Sequence, residues 1–422
     1  MAAADENEQV PPNGQLASHG QVLAHGQVLP HGRSRYALVL GLIALAGPLG
    51  INMYVPAFPV IAADLHVSAE SIQLSLMSFL AALAIGQNVY GPLSDRFGRK
   101  LALYLGIALF VIASVGVCFS STVEHLIVWR FFQGLGTCAA MAIPRAIVRD
   151  LYTGHAAAKL LSLVILVGSV GPLLAPLGGT GLVMLFGWRS IFWALAAIGV
   201  VMLLMTIFLV PETLPPERRN RGMDALRGYG ALLRDKEFMF MALMVGCGQA
   251  TFFAYLTGSP FVFMEIYGLQ PWEYSLVIAV GAAAFTGAAQ FSSPLMKRIR
   301  AERLLNICVM GTSLITIFIF ALALAGLDGP WTILVSVLLI FCALGIMMPV
   351  GTVVALHPHG GSAGSAAALI GTAGFGVGAI ASALVTAFAN GTEMPMLATM
   401  LVCALLSSAA AEFALRSHRK TA

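Results

Sequence analysis

Uninterrupted apolar stretches about 20 residues long run through this sequence, each the length that carries an α-helix across the hydrocarbon core of a bilayer. From Arg35 to Arg416 one stretch and its loop fit every ~30–33 residues, which predicts about twelve spans. Their expected extents are 36–60, 72–92, 101–120, 125–148, 159–185, 190–210, 238–262, 274–295, 303–325, 331–355, 364–389 and 394–415. A transmembrane barrel would need segments of about ten residues alternating apolar and polar, and these stretches do not alternate. Charged residues make up 10% of the chain and mean hydropathy is +0.88. Soluble domains average about 25% charged residues, so this chain cannot clothe a water-facing surface. The six cysteines fall singly in apolar segments with no pairing or metal spacing, and read as small packing residues.

The loops set the orientation. Placing the spans as above puts 21 of the 23 Lys and Arg residues on the side of the N-terminus, with Arg130 and Arg189 the exceptions. The positive-inside rule then predicts that both termini are cytoplasmic. The net charge of +4 is spread over short loops, which does not suit a nucleic-acid partner. Residues 1–33 are polar, with SHGQVL, AHGQVL and PHGR setting His19, His25 and His31 in register. A disordered cytoplasmic tail is the expectation; a metal-binding His tract is the weaker reading, and the acidic start does not fit a signal peptide. The Pro-rich, basic stretch 211–237 predicts a cytoplasmic linker between six-helix bundles at 34–210 and 238–415, with a short tail at 416–422. The halves echo each other at an offset of 202: Pro92, Leu93 and Arg96 match Pro294, Leu295 and Arg298. The expected fold is therefore an all-α membrane protein of two pseudo-repeated bundles, with a pathway between them that opens alternately to either side.

The most specific string is GPLSDRFGRK, 91–100. Gly91 would permit a tight turn or close helix approach, and Gly98 flanks the motif on its other side. Asp95 would accept backbone N–H bonds at the start of the third span, where the helix dipole favours an anion. Arg96, Arg99 and Lys100 would anchor at anionic lipid headgroups. A basic loop obeying the positive-inside rule explains the cations but not the acid among them.

This string resembles the signature loop of the major facilitator superfamily. RFFQGLGTCAAMAIPRAIVRD (130–150) resembles that superfamily's fourth-helix motif through Arg130, Gln133, Gly134 and Gly136. GSVGPLLAPLGG (168–179) is similar to the antiporter motif of drug exporters, with Gly171, Pro172, Gly178 and Gly179 in place. MYVPAFPVIAADL (53–65), FFAYLTGSPFVFMEIYGL (252–269) and AGSAAALIG (363–371) narrow the resemblance to the Bcr/CflA branch of drug:proton antiporters. It implies a major facilitator fold in a bacterial inner membrane, export of drugs or metabolites in exchange for protons, and no cofactor beyond the proton gradient. It also implies a latch in which Asp95 and Arg99 form a charge network with Asp150, holding the halves together on the inner side. Asp95 and Arg99 are four apart and so can meet on one helix face.

Arg130 lies within a span, where a charge costs about 2.5–3.5 kcal/mol even on permissive scales. It is expected to serve proton coupling or cavity electrostatics, the alternative being a side chain that reaches back to the interface. Related exporters carry an acid just before the MYxPA segment; here that position is Asn52, which cannot titrate. A rim acid such as Asp64 or Asp150 would then carry the proton. Asn52, Tyr54, Gln87, Asn88, Gln133, Gln249, Phe252, Phe253, Tyr255 and Gln290 are candidate cavity residues, suited to a neutral or zwitterionic amphipathic ligand. The alternative for each is a helix–helix hydrogen bond or core packing. The His residues do not cluster with acids, which argues against an enzyme, and no phosphate-cradling loop argues for an ATP-driven pump. Export of a physiological metabolite, such as an amino acid or small peptide, is the alternative to drug efflux. A monomer is expected, because one chain supplies both halves of its pathway.

Overall fold

The computed structural model describes residues 33–152, 154–219 and 223–421. Among them twelve helices are long and apolar enough to cross a membrane: Tyr36–Asp64, Ala69–Phe97, Arg99–Cys118, Val123–Leu151, Leu160–Phe186, Arg189–Leu209, Lys236–Ile266, Pro271–Met296, Ala301–Leu324, Pro330–His359, Ala363–Ala387 and Met394–Ala414. Each overlaps its expected span. The second runs three residues earlier and five later than its apolar stretch, because backbone hydrogen bonding continues past the hydrocarbon edge. Residues 1–32, with His19, His25 and His31, lie outside the described residues. The expected tail from 416 instead continues the last helix, Met394–Thr421, and the linker carries a 3₁₀ turn at Pro216–Arg218 and a helix at Met223–Arg234.

The first span is interrupted. Helices Ala46–Asn52 and Phe58–Asp64 flank a 3₁₀ turn at Val55–Ala57. Pro56 has no N–H, and its ring crowds the carbonyl four residues back, so the α-helical ladder cannot pass through it. Asn52 sits at the break and donates from its side-chain amide to the Pro48 carbonyl at 2.8 Å.

Small residues set the helix spacing inside the first half. A Cβ at Gly136 would come within 2.5 Å of the Phe110 backbone nitrogen, and one at Gly134 within 2.5 Å of the Phe79 carbonyl. Two of the four residues of GSVGPLLAPLGG singled out above, Gly171 and Gly179, lie on one face and bring the fifth span onto the first, against Pro48 and the Met53 carbonyl. Pro172 is half-buried at the start of helix Val170–Phe186, and Gly178 faces open space. Gly179→Ala would drive a methyl into the Met53 backbone, which cannot yield as a side chain would. We expect the purified variant to unfold several degrees below wild type, whereas Gly178→Ala should melt within about a degree of it. Thermal unfolding in detergent tests the pair.

The halves meet through neutral polar side chains. Thr386 donates to Gln73 Oε1 at 2.9 Å, and Thr180 and Ser275 share a 2.5 Å hydrogen bond, both on the side far from the linker. Toward the linker side Asn88 donates to Thr372 at 2.7 Å, and Thr372 donates to the Ala84 carbonyl at 3.2 Å. A Cβ at Gly371 would lie 2.9 Å from the Gln87 amide, so this glycine lets the second and eleventh spans close up.

Candidate functional site

The first half has a cation at its centre. Arg130 is fully buried, and its guanidinium lies over the rings of Phe79 at 4.2 Å, Tyr54 at 4.5 Å and Phe192 at 5.9 Å. Nη1 donates to the Gly50 carbonyl at 3.0 Å and to Gln133 Oε1 at 2.5 Å; Nε and Nη2 have no hydrogen-bond partner among the described residues. Gln133 hands the chain on from Nε2 to Ser114 at 2.7 Å, and Ser114 donates to the Phe110 carbonyl at 2.7 Å. The Tyr54 hydroxyl pairs with Ser75. No carboxylate bonds this guanidinium among the described residues; π-faces of the first, second and sixth spans, a first-span carbonyl and the Gln133 amide hold it. Its side chain points inward, so the snorkelling alternative does not describe it.

The second cluster lies at the linker side. Arg99 Nη1 pairs with Asp95 Oδ1 at 2.5 Å and donates to Ser94 Oγ at 2.7 Å, while Nε pairs with Asp150 Oδ2 at 2.8 Å. Thr213 of the linker also donates to Asp150, at 3.2 Å. The structure therefore brings Asp95, Arg99 and Asp150 together, but all three belong to the first half. The network expected to bridge the two halves instead binds the second, third and fourth spans to the start of the linker. Asp95 is also not the cap of the third span, because it falls inside helix Ala69–Phe97. The capping carboxylate is Glu212, which accepts from Arg99 N at 2.9 Å and Lys100 N at 3.3 Å. Arg219 lies 3.8 Å from the same group, and Lys100 Nζ closes the sixth span by donating to the Ile207 carbonyl at 2.7 Å.

Glycine placement follows this arrangement. Gly98 has φ +100° and packs against the Glu212 carboxylate, so a side chain there would be strained and blocked. Gly91 sits mid-helix with its nearest neighbour, the Tyr229 hydroxyl, at 3.8 Å, so neither a turn nor a close approach requires it. Arg96 is exposed over the Phe97 ring at 5.2 Å.

The remaining candidates divide by half. Tyr54, Gln133 and Asn52 are enclosed in the first bundle and do not line an open space. Tyr255 is enclosed in the second, edge-on to Phe341 at 5.3 Å; Phe252 tilts on that same ring at 5.1 Å. Gln249 packs on Gly374, Phe253 on Gly378, and Gln290 is exposed. The acid considered as a rim proton carrier, Asp64, is paired with Arg189 at 2.7 Å and accepts from Trp188 at 2.9 Å. Sequence reasoning missed Glu212, Thr213, Ser94, Ser114 and the ring of Phe79. No spacing rule connects a linker acid to a helix start 113 residues away.

Residues 40–412 match the family described as Major Facilitator Superfamily. The chain is 36% identical over 383 residues to an uncharacterized MFS-type transporter, YdgK, of Bacillus subtilis, covering 90% of this chain and 94% of that one. It is 31% identical to a bicyclomycin resistance protein homolog of Haemophilus influenzae, covering 88% and 94%. To the multidrug resistance protein MdtL of Escherichia coli it is 30% identical, covering 81% and 85%. The fold matches that of the Escherichia coli xylose transporter XylE in a partially occluded inward-open conformation, at TM-score 0.67 and 17% identity, covering 91% and 98%. A bacterial homolog of the human lysosomal transporter Spinster aligns equally well, at TM-score 0.67 and 19% identity, covering 91% and 98%. With twelve membrane-length helices in this arrangement and a family match over nearly its whole length, the chain is a multi-pass transporter of small molecules and belongs to the major facilitator superfamily.

Proposed function

We propose that this transporter exports amphipathic drugs across a bacterial inner membrane by alternating access, driven by protons moving the other way. The observation that carries the reading is the joint between the halves. Among the described residues it is made of hydroxyl and amide pairs (Asn88–Thr372, Gln73–Thr386, Thr180–Ser275) and not of ion pairs. Neutral hydrogen bonds contribute about 0.5–1.5 kcal/mol net each, so such a joint opens and re-forms at little cost while each bundle stays whole. The Asn88 carbonyl oxygen has no partner in this arrangement and is free to accept one in another. The relatives named for bicyclomycin and multidrug resistance support drug as the cargo. The basic loops support cytoplasmic termini, the duplicated bundles support a working monomer embedded in lipid, and the proton gradient is the only driving partner required.

Expression in an efflux-deficient bacterium should lower steady-state accumulation of chloramphenicol and bicyclomycin, and a protonophore should restore it. Export that persists after the proton gradient collapses would overturn the antiport reading. Unchanged drug accumulation beside export of an amino acid or small peptide would replace drug with metabolite.

A further inference from the structure

The fourth span carries a second pair of cations that neither cluster uses. Along its linker-side half nearly every residue is enclosed, yet Arg145 and Arg149 are exposed. They are one helical turn apart and share a stripe with Met141. The ends of that stripe fix the direction it faces. Met141 packs against Gly47 of the first span, and the Arg149 guanidinium lies 3.9 Å from where a Cβ of Gly364 would sit, at the start of the eleventh span in the other half. The stripe therefore looks into the space between the halves, not at lipid.

Neither arginine makes a hydrogen bond or ion pair among the described residues. The acids nearest them, Asp95 and Asp150, are already engaged by Arg99. Two like charges at this spacing repel, and the carboxylates that act on Arg149, Asp95 and Asp150, are already committed to Arg99. The positive-inside rule accounts for Arg149 at the helix end. It does not account for Arg145, six residues or about 9 Å within the helix and facing the pathway.

We propose that Arg145, assisted by Arg149, is an entry site for amphipathic solutes that bear a carboxylate, phosphate or sulfonate. This rests on the efflux reading above and adds anionic amphiphiles to the neutral drugs of its cargo. A guanidinium fork pairs with such groups through two parallel hydrogen bonds, and a cleft of one charge sign concentrates solutes of the other. Once the anion has bound, the repulsion between the two arginines is relieved.

Two dyes with one xanthene frame test the proposal: fluorescein, an anion, and rhodamine 123, a cation. Binding to the purified full-length transporter is read by fluorescence anisotropy. Wild type should bind fluorescein at least about tenfold more tightly than rhodamine 123. Arg145→Gln should weaken fluorescein about tenfold and leave rhodamine 123 within about twofold, and Arg145→Lys should fall between. On wild type alone, raising salt from about 50 to about 500 mM should weaken fluorescein selectively, a readout that needs no variant to fold. Equal affinity for the two dyes, equal loss of both in Arg145→Gln, or salt-insensitive fluorescein binding would overturn the inference. Fluorescein bound as expected, with neither it nor chloramphenicol carried by proteoliposomes under a pH gradient, would sink the efflux reading and leave the anion site standing.

Discussion

Arg130→Met should abolish transport while leaving the protein at least as stable as wild type. The guanidinium occupies a closed site walled by Tyr54, Phe79 and Phe192, with two of its donors unpaired and no carboxylate bonded to it. Burial of a charge under these terms works against folding, and replacing buried ionic groups by apolar ones of similar volume is often neutral or stabilising by about 1–4 kcal/mol. Met matches the arginine stem and packs well against aromatic faces. Stability therefore does not explain why arginine stands here. Its charge lies on a polar thread crossing the first bundle, from the Gly50 carbonyl near the first-span break through Gln133 to Ser114. Removal should lower proteoliposome transport by about a hundredfold or more, equivalent to about 2.7 kcal/mol at the barrier. Arg130→Lys should not restore it, since a compact ammonium has no flat face to lay over three rings. Wild-type transport by Arg130→Met would reduce the residue to a packing piece. A lower melting temperature for that variant would show that the cation–π contacts outweigh desolvation.

The twelve spans were legible because a bilayer demands about 20 apolar residues in a row, a signal read without any tertiary knowledge. The Asp95–Arg99 pair was legible for a comparable reason: four residues apart is one helical turn, and the helix alone makes them meet. Asp150 was reachable only through resemblance, since 51 residues separate it from Arg99. Glu212 carried no signal, because a loop acid in PETLPPE looks the same whether it faces water or caps a helix from another part of the chain. The cavity residues failed differently. Tyr54, Gln133 and Tyr255 are polar spots in apolar stretches, and a lone sequence does not say whether such a spot faces the interior of its own bundle or the space between bundles. Asn52 shows the same ambiguity at finer scale, since its donor serves the Pro48 carbonyl one turn back in its own helix. An acid there would set two acceptor oxygens against a carbonyl, so the local fold itself favours the amide. Arg145 was counted among the loop cations, and only the third dimension shows that it faces the pathway.

Arg99→Ala should cost both stability and transport, and its comparison with Asp95→Asn separates the two losses. Arg99 is buried and serves Asp95, Asp150 and Ser94 at once, so its removal strands the enclosed Asp150 with a single neutral donor, Thr213. Hydrogen bonds to charged groups contribute about 1.5–3 kcal/mol each, and the Asp150 bond falls in that class. The Asp95 bond lies nearer the ~0–1 kcal/mol of exposed pairs, since that carboxyl is 39% accessible. Arg99→Ala should therefore melt several degrees lower and transport little. Asp95→Asn keeps the Arg99–Asp150 pair and the Glu212 cap, so it should insert and melt within about two degrees of wild type. If the cluster only braced the first bundle, Asp95→Asn would transport normally. Loss of transport at preserved stability is the expected result, because the linker tied down by Glu212 and Thr213 leads directly to the helix Met223–Arg234, whose Tyr229 hydroxyl lies 3.8 Å from where a Cβ of Gly91 would sit. That helix also packs against the seventh and eleventh spans of the other half. The charge cluster reaches the second bundle through the linker, and Asp95 is the member of it that can be neutralised without dismantling the rest.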